Sequence, residues 1–595
     1  MTITSVLIAN RGEIAVRIIR ACRELGVRAV AVHSEADAGA LWTRLADEAV
    51  NIGPAPARAS YLNIDGLIAA AKATGADAVH PGYGLLSESP EFAAAVVDAG
   101  LRFVGPSAQV IATMGDKVEA RKAAVAAGLP VLPGSDGVVE GFDDAIAHAR
   151  RIGWPIAVKA SFGGGGRGMR VAHGEDDLKA ALEQATREAS AAFGRGEIYL
   201  ERYLVRPRHV EVQVLGDGHG GLIHLGDRDC SVQRRHQKLI EEAPAPALSD
   251  GLRARILEAA VTLSKSVGYQ GAGTVEFLAD VANDAFYFLE MNTRLQVEHG
   301  VTELVTGVDI VTAQIRVAGG EPLGIQQTDV ATNGCAIQAR ISAEDPWENF
   351  RPAPARVDDL RLPGGPWLRT DFGVETGDDI PNFYDSMFGK VQAWGRTREE
   401  ARARLAQALD ALVVAGPVTT APYLRQLLDT PDFAAATHDT GSVERDWLPD
   451  ADDRPAAVVS SATHADTAPS ASISERIVSA PWGGQLVDVS VFGVRTARSA
   501  AAVAGTQLDR RSASGGSGGP DILAPMDAAV AHTPVAVGDR VAKGAAVLVL
   551  EAMKMEVVLS APHAGVLEAL HVGVGDAVKS GAVIAVVRAD LSSPE

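Results

Sequence analysis

Glu290, Asn292, Arg294, Gln296 and Glu298 place five polar side chains at every second position. An extended chain sends alternate side chains to opposite faces, so this run would aim all of them into one cavity. Met291, Leu295 and Val297 would lie on the other side. Two carboxylates and an amide oxygen are hard ligands, suited to divalent ions that carry a nucleotide's phosphates. Glu276 sits in a matching apolar run, 273–279, that reads as the partner strand across a polar turn.

Two further constellations point to anions. Residues 163–166 are four consecutive glycines between apparent strands, and Lys159 precedes them on an otherwise apolar strand. Glycine lets backbone N–H groups approach phosphate oxygens, and a lysine so placed needs an anionic partner. No Gly-Lys-Ser/Thr follows, so this is no Walker loop, and residues 10–13 form no dinucleotide fingerprint. The run 228–242 mixes cations with hydrogen-bonding groups: Gln233, Arg234, Arg235, His236 and Lys238. In a chain of net charge −20 such a run reads as a local anion pocket. The same charge excludes broad nucleic-acid binding, which needs a basic face.

The elements that must hold these groups follow from periodicity. Residues 4–9 read as a buried strand, 12–25 as a helix, 28–33 and 76–80 as strands, and 90–99 as a helix. That is an open parallel α/β sheet, whose ligands bind beyond the strands' carboxyl ends. From about 115 to 320, strands and hairpins mix with helices, and 199–204 reads as a strand leading to a hinge. A third, α+β segment runs from about 333 to 445, followed by a linker-like stretch, short strands within 476–510 and a Gly/Ser tether at 512–520. Near the end, Ala524-Pro525, Val537-Gly538-Asp539 and Gly544 recur 37 residues later as Ala561-Pro562, Val574-Gly575-Asp576 and Gly581. A two-fold repeat of short strands predicts a flattened β-barrel of two interlocked halves, with Lys554 on the turn between them.

With 595 residues the chain exceeds what one hydrophobic core supports, so several domains are expected. No apolar run is long enough to span a membrane, and the first residues lack the basic region of a signal peptide. Three scattered cysteines suit reduced thiols in a cytoplasm.

Together these residues resemble the biotin carboxylases of the ATP-grasp superfamily, followed by a biotin carboxyl carrier domain. The resemblance covers about 3–445 and 521–588; its most specific parts are 163–168, 234–238, 290–299 and 551–555. The layout is similar to the α subunits of actinobacterial-type acyl-CoA carboxylases. It implies an N-terminal α/β domain at 1–114, an ATP-grasp domain at 115–325 with a mobile lid at about 131–204, and a C-terminal α+β domain at 326–446. A linker at 447–520, with a small β docking segment, and a biotinyl domain at 521–590 would follow.

Residue by residue, the resemblance implies that Lys117 and Lys159 contact ATP phosphates, with Gly165 and Gly166 closing over them. Glu201, Arg202, Tyr203 and Leu204 would hold the adenine, and His209, Gln233, His236 and Leu278 would line the pocket. Glu276, Glu290 and Asn292 would bind two Mg²⁺ or Mn²⁺ ions. Lys238, Arg294, Gln296 and Val297 would fix bicarbonate, Glu298 would be the general base, and Tyr83 and Arg340 would face biotin, carried on Lys554. The implied reaction is ATP- and bicarbonate-dependent carboxylation of that biotin through carboxyphosphate. A flexible tether of about 25 residues reaches roughly 25–30 Å, enough for the carrier to serve a second site. No segment reads as a carboxyltransferase, so the implied partners are a biotin protein ligase and a separate carboxyltransferase β subunit, in a hetero-oligomer. Three departures from the family pattern stand out: Gly300 where many relatives carry proline, Asn382-Phe383 where glycines are more usual, and Arg167 for a common lysine.

Overall fold

The computed structural model describes residues 2–589 apart from 136, 161–168, 194–195, 451, 453, 455–471, 483–484, 496–520, 526–527, 553–554 and 580. Valine, leucine and isoleucine fill the strand Ser5–Ile8, which is buried along its whole length. A strand buried on both faces needs cover on both, which favours a parallel sheet flanked by helices. The sheet is indeed parallel, in the order Glu48–Asn51, Arg28–His33, Ser5–Ile8, Ala78–His80, Arg102–Phe103. Helix Gly12–Leu25 follows the central strand and ends at Gly26, whose φ of 67° closes the last turn. The edge strands Glu48–Asn51 and Arg102–Phe103 escaped the sequence reading, being short or largely polar.

The largest sheet has eight strands, all antiparallel to their neighbours. Its order is Ala285–Asn292, Gly271–Asp280, Arg208–Gly216, Leu222–Arg234, Gln237–Ala243, Cys335–Ser342, Met387–Gly395, Leu368–Phe372. One sheet therefore runs without a break from the predicted metal hairpin into the third, α+β segment. Apart from it, strands Met169–Ala172, Ile156–Ala160 and Ile198–Arg202 form a small sheet. Helices Phe142–Ile152 and Glu175–Phe193 flank that sheet, around a core that includes Ile156, Val158, Leu178 and Leu200. Strands Ser472–Trp482 and Gln485–Arg495 pair as an antiparallel hairpin; the rest of the short-strand region lies outside the described residues.

The terminal domain consists of two four-stranded sheets enclosing Val547, Leu548, Leu550, Leu567, Ile584 and Val587. The 37-residue repeat is visible in its bonds. Gly538 N–H donates to the Leu567 carbonyl and Gly575 N–H to that of Val530, both at 2.8 Å, so each half's turn is tied to a strand of the other. Gly538 and Gly575 have φ of 99° and 93°, a region that favours glycine. The repeated Gly-Asp turn is thus a backbone requirement. Among the described residues no helix is long and apolar enough to cross a membrane.

Leu567 is fully buried in the barrel. Leu567→Ala should cost about 2–5 kcal/mol and lower the barrel's calorimetric transition by about 10–40 °C, leaving the carboxylase portion's transition in place.

Candidate functional site

Three carboxylates lie side by side across the large sheet: Glu290 opposite Glu276, and Glu276 opposite Glu211. Like charges at directly paired positions repel, so the row stands only with cations against it. Arg228, paired with Glu211 on the next strand, is fully buried and donates from Nε to Glu211 Oε1 at 2.5 Å. Lys238 Nζ donates to Glu211 at 2.6 Å, Glu276 at 2.9 Å and Glu298 at 2.8 Å. It arrives from the hairpin of strands Leu222–Arg234 and Gln237–Ala243, where Gln233 pairs with Lys238. The connecting Arg235 and His236 both have positive φ, 47° and 65°. Left-handed non-glycine residues cost on the order of 1–3 kcal/mol each, and they cluster where geometry is dictated by function.

The predicted extended run from Glu290 to Glu298 ends early. The strand stops at Asn292; residues 293–298 form an irregular loop and a turn, with Glu298 as N-cap of helix His299–Thr306. The five side chains still converge, through hydrogen bonding rather than strand alternation. Arg294 donates to Asn292 Oδ1 at 2.8 Å, Gln296 Oε1 at 3.0 Å and Glu88 Oε2 at 2.8 Å, and Gln296 donates to Glu276 at 3.2 Å. Leu295 and Met291 sink into separate cores, which is what bends the segment. Arg340 donates to Glu298 Oε2 at 2.9 Å and to Glu241 at 2.5 Å. The Tyr83 hydroxyl donates to Glu13, whose carboxylate also pairs with Lys390. Val297 contributes its carbonyl, which accepts from Lys390 Nζ at 2.7 Å.

Electrostatics separates the acids. Burial alone would raise Glu298, but Lys238, Arg340 and Arg228 hold it well below the usual carboxylate range. Glu276 is likewise lowered against burial, by Lys238 and His209. His209 Nε2 lies 2.9 Å from Glu276 Oε2, off the direction of a good hydrogen bond. Glu290 goes the other way: burial and the charge of Glu276 push it up. Lys238 is raised well above its ordinary value, the surrounding anions outweighing its burial.

On the nucleotide side, Lys159 donates to Glu201 at 2.6 Å, and Arg121 to the same carboxylate at 3.1 Å. Lys117 opens helix Lys117–Ala126, and burial lowers its pKa. Glu201 and Arg202 end strand Ile198–Arg202; Tyr203 and Leu204 follow it, the Tyr203 N–H bonding the Pro155 carbonyl at 2.9 Å. Leu278 pairs with His209 across the sheet. Gly165, Gly166 and Lys554 lie outside the described residues; strands Ala546–Ala552 and Met555–Ser560, which flank Lys554 in sequence, pair Ala552 with Met555. The sequence reading missed Glu211, Glu88 and Arg121 as site residues, and gave Arg228 and Glu241 no role of their own within the run 228–242. His209, Glu211 and Gln213 show the same two-residue spacing, a signal that would have found Glu211.

The residues present fit a divalent metal. Glu276 and Glu290 are directly opposed, and the strain of a second nearby charge adds to the burial that raises Glu290. A hard cation between them would relieve it, with Asn292 Oδ1 as a neutral third ligand.

An acidic row beside a cluster of cations, together with a small lysine-bearing sheet, defines a nucleotide-dependent ligase. Four family descriptions match in succession: "Biotin carboxylase, N-terminal domain" at residues 2–111, "Carbamoyl-phosphate synthase L chain, ATP binding domain" at 116–326, "Biotin carboxylase C-terminal domain" at 338–445, and "Biotin-requiring enzyme" at 520–587. Biotin carboxylase 1 of Bacillus subtilis is 49% identical over 442 residues, 74% of this chain and 98% of that one. A pyruvate carboxylase subunit of Methanothermobacter thermautotrophicus is 50% identical over 431 residues, 72% of this chain and 87% of that one. Among solved structures, the biotin carboxylase–β,γ-ATP complex of Campylobacter jejuni has a TM-score of 0.72 at 46% identity, covering 74% of this chain and 99% of that one. The biotin carboxylase domain of Hydrogenobacter thermophilus 2-oxoglutarate carboxylase, with MgADP, ADP and bicarbonate, has a TM-score of 0.72 at 44% identity, covering 75% and 98%. The chain belongs to the biotin carboxylase family and carries a biotinyl domain on the same polypeptide.

Removing Lys238 leaves three buried carboxylates short of a shared cation. Lys238→Met should destabilise the fold by about 3–5 kcal/mol at pH 8. Without the ammonium, Glu276 and Glu298 lose the strongest charge that depresses them, so the gap between variant and wild type narrows as the pH falls toward about 5.5. In the wild type, Glu276 and Glu298 are depressed, and their contribution persists until the pH falls through the carboxylate range. Urea titrations at the two pH values read the difference.

Proposed function

We propose that this chain is the cytoplasmic α subunit of an acyl-CoA carboxylase, passing the carboxyl group to a carboxyltransferase on a separate β subunit. Its domain limits would be 1–114, 115–325, 326–446 and 521–590, with a mobile lid at about 131–204 and a docking segment within 447–520. The biotinyl domain on the same chain favours this reading over a pyruvate carboxylase subunit of the archaeal kind. The matched subunit of that kind is already 87% covered by the carboxylase portion alone. A biotin protein ligase would load Lys554.

The observation that carries the chemistry is Glu298, ionised and pinned between Lys238 and Arg340. Bicarbonate is a poor electrophile and needs activation by phosphorylation. Glu298 takes its proton, and the freed oxygen attacks the γ-phosphorus of ATP, giving carboxyphosphate and ADP. Lys117, Lys159 and Arg294 neutralise charge on the transferring group, so positioning and electrostatics do most of the work. Divalent ions held by Glu276, Glu290 and Asn292 would add to that neutralisation. Carboxyphosphate then breaks the bond between its carboxyl carbon and the bridging oxygen, leaving CO₂ and phosphate in a site screened from water. Biotin on Lys554 supplies the ureido nitrogen that accepts the carboxyl group. The phosphate takes the ureido proton, and Arg340 stabilises the charge that develops on the ureido oxygen; a guanidinium stays charged at any working pH.

Glu298→Gln should lower bicarbonate-dependent ATP cleavage by about 10²–10⁴-fold while leaving nucleotide binding in place. Lys554→Ala should abolish avidin-detectable labelling yet still turn over free biotin; loss of both would contradict the two-module reading. Assaying the co-purified β subunit with a panel of acyl-CoAs and with pyruvate tests the substrate class: turnover of pyruvate alone would overturn it.

A further inference from the structure

Glu298 is the N-cap of helix His299–Thr306 but makes no side-chain capping bond. Its carboxylate is committed to Lys238 and Arg340, so the start of the helix must be located by other groups. Strand Met387–Gly395 supplies two on one face, since residues two apart point the same way. Lys390 is fully buried, pairs with Glu13 at 3.1 Å and donates to the Val297 carbonyl at 2.7 Å, the peptide just before Glu298. Gln392, also fully buried, packs against Gly300, two residues after it.

Gly300 carries no unusual backbone: it lies inside the helix, outside the left-handed region. What it provides is space. A Cβ there would overlap Gln392 Oε1 outright and lie 2.8 Å from its Cδ. Gln392 cannot easily swing away, because its Nε2 donates to Asp371 Oδ2 at 2.9 Å. Asp371 is in turn paired with Arg369 at 2.8 Å, and Arg369 with Glu303 of the same helix at 2.6 Å. Gln392 Oε1 is buried and has no hydrogen-bond partner, so its place against Gly300 is a matter of fit. On the neighbouring strand, Arg340 stands directly opposite Lys390 and Gln338 opposite Gln392. One patch of sheet thus touches the Glu298 carboxylate, the peptide before it and the residue two beyond.

We propose that Lys390 and Gln392 are positioning residues that bracket Glu298, with Gly300 kept free of a side chain so that Gln392 can set the register of the helix bearing the base. The proposal rests on the reading of Glu298 as the general base. A shift of about 1 Å at a reacting group can cost on the order of 10²-fold in rate, which is the scale such a bracket controls.

The test uses the full-length protein with free biotin, measuring kcat for bicarbonate-dependent ATP cleavage, KM for bicarbonate and for ATP, and the melting temperature. Gly300→Ala should lower kcat by about 10–100-fold, with the ATP KM within about twofold of wild type. Gln392→Ala alone should lower kcat in the same selective way, and Gly300→Ala combined with Gln392→Ala should fall no further than Gln392→Ala, because the overlap and the register contact involve the same side chain. Lys390→Met should lower kcat in the same selective way; should it fail to fold, the Gly300–Gln392 pair carries the test alone. Wild-type kcat in Gly300→Ala or in Gln392→Ala, an equal loss in ATP affinity, or additive losses in the double variant would overturn the bracket. Glu298→Gln separates the two levels: retained bicarbonate-dependent cleavage there refutes the base assignment itself, whereas its loss alongside additive or absent losses at 300/392 refutes only the bracket.

Discussion

One ammonium group holds this site together. Lys238 lies between Glu211, Glu276 and Glu298, which come from two strands and a turn widely separated in sequence. Each of those carboxylates is buried, and an unpaired buried charge is among the most expensive features a fold can contain. Their convergence is tolerable only with the lysine at its centre, and the lysine is tolerable only with them. That mutual dependence explains the strained Arg235–His236 turn. The hairpin must end there for Lys238 to reach the acids, and a relaxed loop of other length would move it.

The sheet distributes the same logic across the molecule. From Glu290 through Glu276 and Glu211 to Arg228, functional side chains occupy directly paired positions on successive strands. Farther along, Glu241 supports Arg340, and Arg340 faces Lys390. The parallel domain adds Tyr83, Glu13 and Glu88, all from segments that follow its strands, where such sheets take ligands. Tyr384 fastens the two regions, its hydroxyl 2.5 Å from Ser34 Oγ and 2.6 Å from the Ala55 carbonyl, with Arg11 over its ring. The neighbouring departure at Asn382-Phe383 leaves Phe383 half exposed and that anchor intact.

Much of this was legible in the sequence wherever a local period carried the information. The parallel α/β unit, the metal hairpin and the 37-residue repeat all rest on spacings of two, three to four, or a fixed offset, and the chain obeys them. The period-two reading of 290–298 grouped side chains that do lie together, for a reason that holds only as far as Asn292. Beyond it, tertiary burial of Leu295 overrode the local pattern. Glu211 carried the same spacing signal, two residues after His209 in a strand buried along its whole length. Glu88 had no local signal at all, and Glu241 stood in the singled-out run 228–242 without a role; both roles exist only once distant segments meet. Gly300 was conspicuous as a departure, but its meaning lies in Gln392, some ninety residues away.

The charge balance of the assembled site bears on what it can receive. Besides Lys117 and His209 near Glu290 and Glu276, the acids Glu88, Glu211, Glu241, Glu276, Glu290 and Glu298 are met by Arg228, Lys238, Arg294 and Arg340. Every one of those cations already has a carboxylate partner. An incoming anion such as bicarbonate would therefore have to share partners that are in use. Burial magnifies that penalty, because charges in a low-dielectric site are poorly screened. Divalent ions arriving with the nucleotide at Glu276 and Glu290 would reverse the sign locally, and would weaken the hold of those acids on Lys238. On the proposed reaction, such ions would favour bicarbonate most where the nucleotide that activates it is present.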